Sequence, residues 1–159
     1  MRPLGLIAII VAVACGMWLY GKNRSNIEGR QTVAMSDDLD GARAAFQGNI
    51  AAIQHRNAEQ YLSYYMQSPA LTILSDSFAQ GYDSFAAARR ATTDWPDTLI
   101  AGDPRLVWLS PGVVYGAYKY VRVQKGDTTR GWSERVMVKT KNGWKVAVTT
   151  VLTEPKGSR

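Results

Sequence analysis

The last third of the chain carries the clearest pattern. Residues 113–123, 131–140 and 144–152 are rich in β-branched and aromatic residues, with Gly or Asn at the breaks between them. This pattern predicts three strands of an antiparallel meander. The second break can be read in two registers. A two-residue Asn142-Gly143 loop pairs Lys141 with Trp144 and Met137 with Val148. A three-residue loop, Lys141-Asn142-Gly143, pairs Thr140 with Trp144, Val138 with Val146, Val136 with Val148 and Glu134 with Thr150. Directly paired residues share a face, and a one-residue slip exchanges the faces. The three-residue loop puts valine opposite valine and places Gly143 where a bulged turn needs a positive φ. It predicts a buried face of Trp132, Glu134, Val136, Val138, Trp144, Val146, Val148, Thr150 and Leu152. Arg135, Lys139 and Lys145 fall on the outer face.

Upstream, Leu39, Ala42, Phe46, Ile50, Ile53, Tyr61 and Tyr65 recur at roughly helical spacing, which predicts a helix or a pair of helices with one apolar stripe. Ser36-Asp37-Asp38 suits its N-terminus, and Gly48 weakens its middle. His55, two residues from Ile53, lies about 200° around the helix at 100° per residue and points away from the stripe. Asn57 falls on the stripe and reads as a core hydrogen-bonder or a pocket residue. Residues 71–74 form a short strand. A second helix runs from Tyr82 to about Thr93, capped by Asp83 or Ser84. Phe85 and Ala88 face inward, and Arg89 and Arg90 sit at the C-terminal end, where the helix dipole favours cations. Brief strands follow at 98–101 and 105–109.

Only the N-terminus departs from this picture of one globular domain. Residues 4–20, bounded by Leu4 and Tyr20, form the one long apolar run and follow Arg2. Seventeen residues is the short limit for a spanning helix. Three readings remain open: an uncleaved membrane anchor with Trp18 and Tyr20 at the interface, a secretory signal cut after Ala14, or a lipoprotein signal with Cys15 as the lipidation candidate. Each takes the domain to the membrane or beyond it, with the cell envelope as the expected location. The orientation stays open, because Lys22, Arg24 and Arg30 outnumber the positive charges before the run. The expected organisation is an anchor or signal at 1–21, a polar linker at 22–35 and a domain at 36–155.

Composition changes little. The chain has 159 residues and a formal net charge of +6, with the basic residues scattered. No basic run, RNA-binding motif or zinc-ligand spacing appears, so nucleic acid, metal and cofactor are not expected. Cys15 is the one cysteine, which excludes an internal disulfide.

The order of elements, together with Asn57 through Tyr65, Gly81-Tyr82-Asp83-Ser84-Phe85 and Asn142-Gly143-Trp144-Lys145-Val146, resembles the nuclear transport factor 2-like superfamily and its SnoaL-like group. The resemblance covers roughly residues 39–153. It implies an α+β fold, a curved antiparallel sheet (cone) with helices packed on the concave face, a pocket in the cone, and a homodimer through the sheet. Many members have Asp at the place of Asn57, and Asn cannot act as a general base. The inward candidates are Asn57, Tyr61, Tyr65, Glu134 and Thr150, with Trp95 and Tyr115 at the wall. Three functions compete. One is a membrane-tethered or exported module that binds a small apolar ligand or helps a partner assemble. The second is a cyclase, isomerase or dehydratase with Glu134 as acid or base. The third is an interaction domain whose pocket is filled.

Overall fold

Asp38, Ala42, Phe46, Asn49, Ile50 and Ala52 are the buried positions of one long helix among the residues whose side chains are described. They share the helical stripe expected from the sequence and extend it by a buried carboxylate and a buried amide. The computed structural model describes residues 4–75 and 78–155, with side chains from residue 28 onward. In it α1 spans Leu4–Gln54. The chain separates into two units, residues 1–36 and 37–159. The first is helical, and residues 28–36 are exposed throughout. The stretch 22–35, expected as a linker, is part of α1, and no helix begins at Ser36. Asp38 is not a cap. It is 3% exposed and accepts hydrogen bonds from Gly112 N at 2.7 Å, Lys139 Nζ at 3.0 Å and Trp108 Nε1 at 3.2 Å. Residues 4–20 and Cys15 lie outside the residues whose side chains are described. Among the described residues no helix is long and apolar enough to cross a membrane.

The break in the apolar stripe falls at residues 55–57, and α1 passes through Gly48. Arg56 adopts a left-handed conformation, φ 55°, which stops the helix. Asn57 then caps α2 (Ala58–Ser63), its side-chain oxygen accepting from Gln60 N. This is the usual work of Asn before a helix, and it leaves Asn57 exposed instead of on the buried stripe. α3 (Tyr82–Ala91) starts from Gly81 with no side-chain cap, contrary to the role expected of Asp83 or Ser84. It buries Phe85 and Ala86, while Ala88 is exposed. Arg89 and Arg90 occupy its last turn as expected.

Seven strands form one sheet: β1 (Thr72–Ser75), β2 (Ala79–Gln80), β3 (Thr98–Ala101), β4 (Arg105–Ser110), β5 (Val113–Gln124), β6 (Asp127–Thr140) and β7 (Gly143–Thr153), in the order β2-β1-β7-β6-β5-β3, with β4 also on β5. The fold is α+β, and the sheet is curved and unclosed. It is mixed rather than purely antiparallel, because β1 runs parallel to β7. Helices cover the concave face: Ala42, Tyr61, Leu62, Phe85 and Ala86 pack with Val114, Met137, Trp144 and Val146. Each such Val or Leu contributes about 1.5–3 kcal/mol when fully buried.

The β6–β7 hairpin corrects the expected register. Thr140 pairs with Gly143, so Lys141 and Asn142 alone form the loop and Gly143 takes φ 85°. Val138 therefore lies opposite Lys145, and Met137 opposite Val146. A bulge at Ala147 then shifts the register, and beyond it the expected pairs Val136–Val148 and Glu134–Thr150 are present. A bulge adds one residue to one strand and reverses its facing from that point. As a result Trp144, Val146 and Thr149 share the buried face, and on β6 the inward residues are Gly131, Ser133, Arg135 and Met137. The expected inward set on β6, including Glu134, is on the convex face.

Candidate functional site

The concave face of the sheet supplies the floor of a cavity of about 330 Å³. Tyr118 and Tyr120 of β5, Ser133 and Arg135 of β6, Thr149 and Val151 of β7, and Ile73 and Ser75 of β1 reach it. Cross-strand pairing explains this convergence. Tyr118 lies opposite Ser133, Arg135 opposite Thr149, Ser133 opposite Val151, and Thr149 opposite Ile73. Tyr61 on α2 and Tyr65 just after it, with Phe85 and Arg89 on successive turns of α3, complete the wall together with Ile53, Leu99 and Phe78.

The aromatic wall is interlocked. Tyr61 meets the rings of Tyr65, Phe85 and Trp95 at centroid distances of 5.0, 5.8 and 6.0 Å. The Tyr61 and Tyr65 hydroxyls are 2.7 Å apart. Burial pushes the Tyr65 hydroxyl well above the ordinary tyrosine range, and neighbouring Tyr61 adds to the effect. Tyr65 therefore stays protonated at neutral pH and does not act as a base.

Arg135 is the unusual group. It is 5% exposed. Its guanidinium lies over the rings of Phe46 and Tyr118, 5.2 and 5.1 Å from their centroids. Nη2 donates to the Tyr118 hydroxyl at 2.8 Å, while Nε and Nη1 have no partner. None of the ion pairs among the described residues includes it. Burial works against its charge, but Tyr118, Tyr65 and Tyr61 outweigh that and hold its proton. Arg89 contributes a second stacked guanidinium, 4.9 Å from the Trp95 ring and 5.2 Å from that of Tyr61, and its Nε is also buried without a partner. Arg122 lines the cavity as well. Asp94 is the one carboxylate among the described lining residues. Its pairing with Lys125 at 3.0 Å holds it below the ordinary range. No cluster of metal-ligating side chains occurs among the described residues.

Of the residues expected in the pocket from sequence, the structure brings Tyr61 and Tyr65 to the cavity. Trp95 is buried one layer behind, against Tyr61 and Arg89. Asn57 is at the surface as a cap. Glu134, Thr150 and Tyr115 belong to the convex face, where Glu134 pairs across the strands with Ala117 and Thr150. Burial and a hydrogen bond with Glu134 raise the pKa of the Tyr115 hydroxyl. Sequence reasoning missed Arg135, Tyr118, Ser133, Thr149 and Arg89. Alternation relates the first four to one another, but nothing in the residue types announces the bulge that sets their side.

No protein-family model and no curated protein matches the chain. Solved structures do. A nuclear transport factor 2-like protein of unknown function from Shewanella oneidensis superposes with a TM-score of 0.64 at 17% identity, covering 74% of this chain and 98% of that one. A nuclear transport factor 2-like superfamily protein from Salmonella enterica serovar Typhimurium gives 0.62 at 14%, covering 77% and 95%. A ketosteroid isomerase-like protein from Erwinia carotovora atroseptica gives 0.62 at 13%, covering 73% and 95%. The fold is that of the nuclear transport factor 2-like superfamily. At these identities the likeness extends to the fold, which hosts many unrelated functions.

Proposed function

We propose that residues 37–155 form a small-molecule-binding module without defined catalysis, carried to the membrane or the cell envelope by the apolar run 4–20. The observation that carries this reading is the cavity itself: aromatic walls, a few oriented polar groups, and no carboxylate among its buried described residues. This is the usual make-up of a binding pocket. The proposal keeps the domain in the SnoaL-like group, on the strength of the Gly81–Phe85 and Asn142–Val146 segments that open α3 and β7. The enzymatic alternative, with Glu134 as acid or base, loses its geometric support, because that carboxylate is on the far side of the sheet from the cavity.

The test is a fragment screen on the full chain in mild detergent, read by amide and aromatic NMR. Compounds that bind should shift Tyr61, Tyr65 and Tyr118 together, and Thr149→Trp, which fills the floor, should abolish the shifts. A screen in which no compound perturbs those tyrosines would sink the reading.

The proposal includes a second copy of the chain on the convex face. Val107, Tyr115, Val136 and Val148 make one continuous cross-strand row there. Val107 in the row, and Trp132 and Leu152 beyond it, are 50%, 39% and 44% exposed. An apolar row of this kind is the sort of surface that marks an interface.

A further inference from the structure

The cavity contains a cation whose counter-charge no other described residue supplies. Arg135 is buried on the floor with two guanidinium nitrogens unpartnered, and the one carboxylate among the described lining residues, Asp94, is exposed and committed to Lys125. Removing a guanidinium from water is costly unless an anion or a full set of acceptors replaces the lost hydration. Tyr118 replaces one hydrogen bond. The two flanking rings offer cation–π attraction, which accounts for the position of the group and not for its missing acceptors. Ser133 and Thr149, both almost fully buried beside it, add hydroxyls to the same floor.

We infer that the ligand is an organic acid whose carboxylate is neutralised by Arg135 and whose apolar body lies against Tyr61, Phe85 and Ile73. This rests on the binding reading above and narrows it from an apolar ligand to an anionic one. A carboxylate is the natural partner of a guanidinium, because its two oxygens accept charge-assisted hydrogen bonds that are shorter and stronger than neutral ones. Tyr118 already orients the group, so binding spends little on ordering it. Arg89 and Arg122 on the same cavity keep the field positive around the entering ligand. The surrounding rings favour a hydrophobic acid over inorganic phosphate, for which they offer no hydrogen bonds.

The experiment is calorimetric titration of the full chain in mild detergent with matched pairs: 4-phenylbutyrate against 4-phenylbutanamide, and 2-naphthoate against 2-naphthamide. Inorganic phosphate and phenylphosphonate are parallel arms. The acids should bind about tenfold or more tighter than their amides, the worth of one hydrogen bond to a charged group. Arg135→Met should remove that preference, so that each acid binds no tighter than its amide. In the wild-type chain the Arg135 Nε–H resonance should move with the acids and stay in place with the amides, a readout that does not depend on the variant folding. Acids and amides binding equally well, or a preference that survives Arg135→Met, would overturn the acid inference while the binding reading stands. If no acid or amide binds and the fragment screen is also silent at Tyr61, Tyr65 and Tyr118, the binding reading itself fails. Phosphate binding as tightly as the hydrophobic acids would replace the organic acid with a simple oxyanion.

Discussion

Glu134 and Arg135 are adjacent in sequence, and the structure sends them to opposite sides of the sheet. The carboxylate meets Tyr115 on the convex face, and the guanidinium is buried in the cone. At this scale the cone's polar groups divide into those that hold the fold and those left over for a ligand. Asp38 belongs to the first kind. Burial alone would raise its carboxyl, but the Gly112 amide, the Lys139 ammonium and the Trp108 indole outweigh that and hold it below its ordinary range. Asp38→Ala leaves the half-buried Gly112 amide and Trp108 indole without their acceptor and should cost about 1–3 kcal/mol in urea unfolding. Because the folded pKa is depressed, the contribution of Asp38 is complete above the unfolded value of about 4 and fades as pH falls further. The acid limb of a stability–pH profile should therefore flatten in Asp38→Asn, and an unchanged limb would show that other carboxylates dominate it. Arg135 is of the second kind. Replacing it with Met should leave the free protein as stable or more so, since the cation is buried without an anion.

Among the elements, the β6–β7 hairpin decides where the site is. The bulge at Ala147 lets Trp144 and Val146 face inward near the turn and Thr149 and Val151 face inward beyond it. Without it, one half of β7 would present the wrong side to the helices. The far end of the hairpin depends on Gly131, where a side chain would collide with the Leu152 carbonyl and the Tyr120 ring. The first of these is backbone held in the ladder and cannot yield cheaply. Gly131→Ala should lower stability by about 1–3 kcal/mol, and hydrogen exchange should show the loss at 131 and 152 before the turn at 141–142. Uniform loss along both strands would mean that the hairpin opens only as a whole. The helical elements were more legible. Their apolar residues recur at 3.6-residue spacing with no bulge to change the phase, so Phe46, Ile50 and Phe85 are buried as expected. The position of the break was not legible, because the left-handed Arg56 gives no signal of the kind Gly would.

Across the whole molecule, the sheet has two apolar faces with different fates. Helices cover the concave one, and the convex one retains Val107, Trp132 and Leu152 at the surface. If a second copy covers it as proposed, light scattering should give a dimer for the full chain in detergent, and Val107→Lys with Trp132→Lys should give a folded monomer. A monomeric wild-type chain at high concentration would remove the dimer and leave the cavity reading intact. Hydrophobic periodicity by itself determined the order of the elements, most strand positions and the inward tyrosines Tyr61 and Tyr65, because local spacing is written in consecutive residues; the α+β class came from the family resemblance. It could not determine which side of β6 is the core. The convex residues Val136, Val138, Val148 and Leu152 are as apolar as a core face, and the concave residues Ser133, Arg135 and Thr149 are polar. Choosing the more hydrophobic side as the interior therefore inverted the strand. Tertiary structure settles the side through the bulge, the parallel pairing of β1 with β7 and the helices on the concave face. Only long-range packing encodes these, and it alone turns Arg135 from a surface charge into the floor of the cavity.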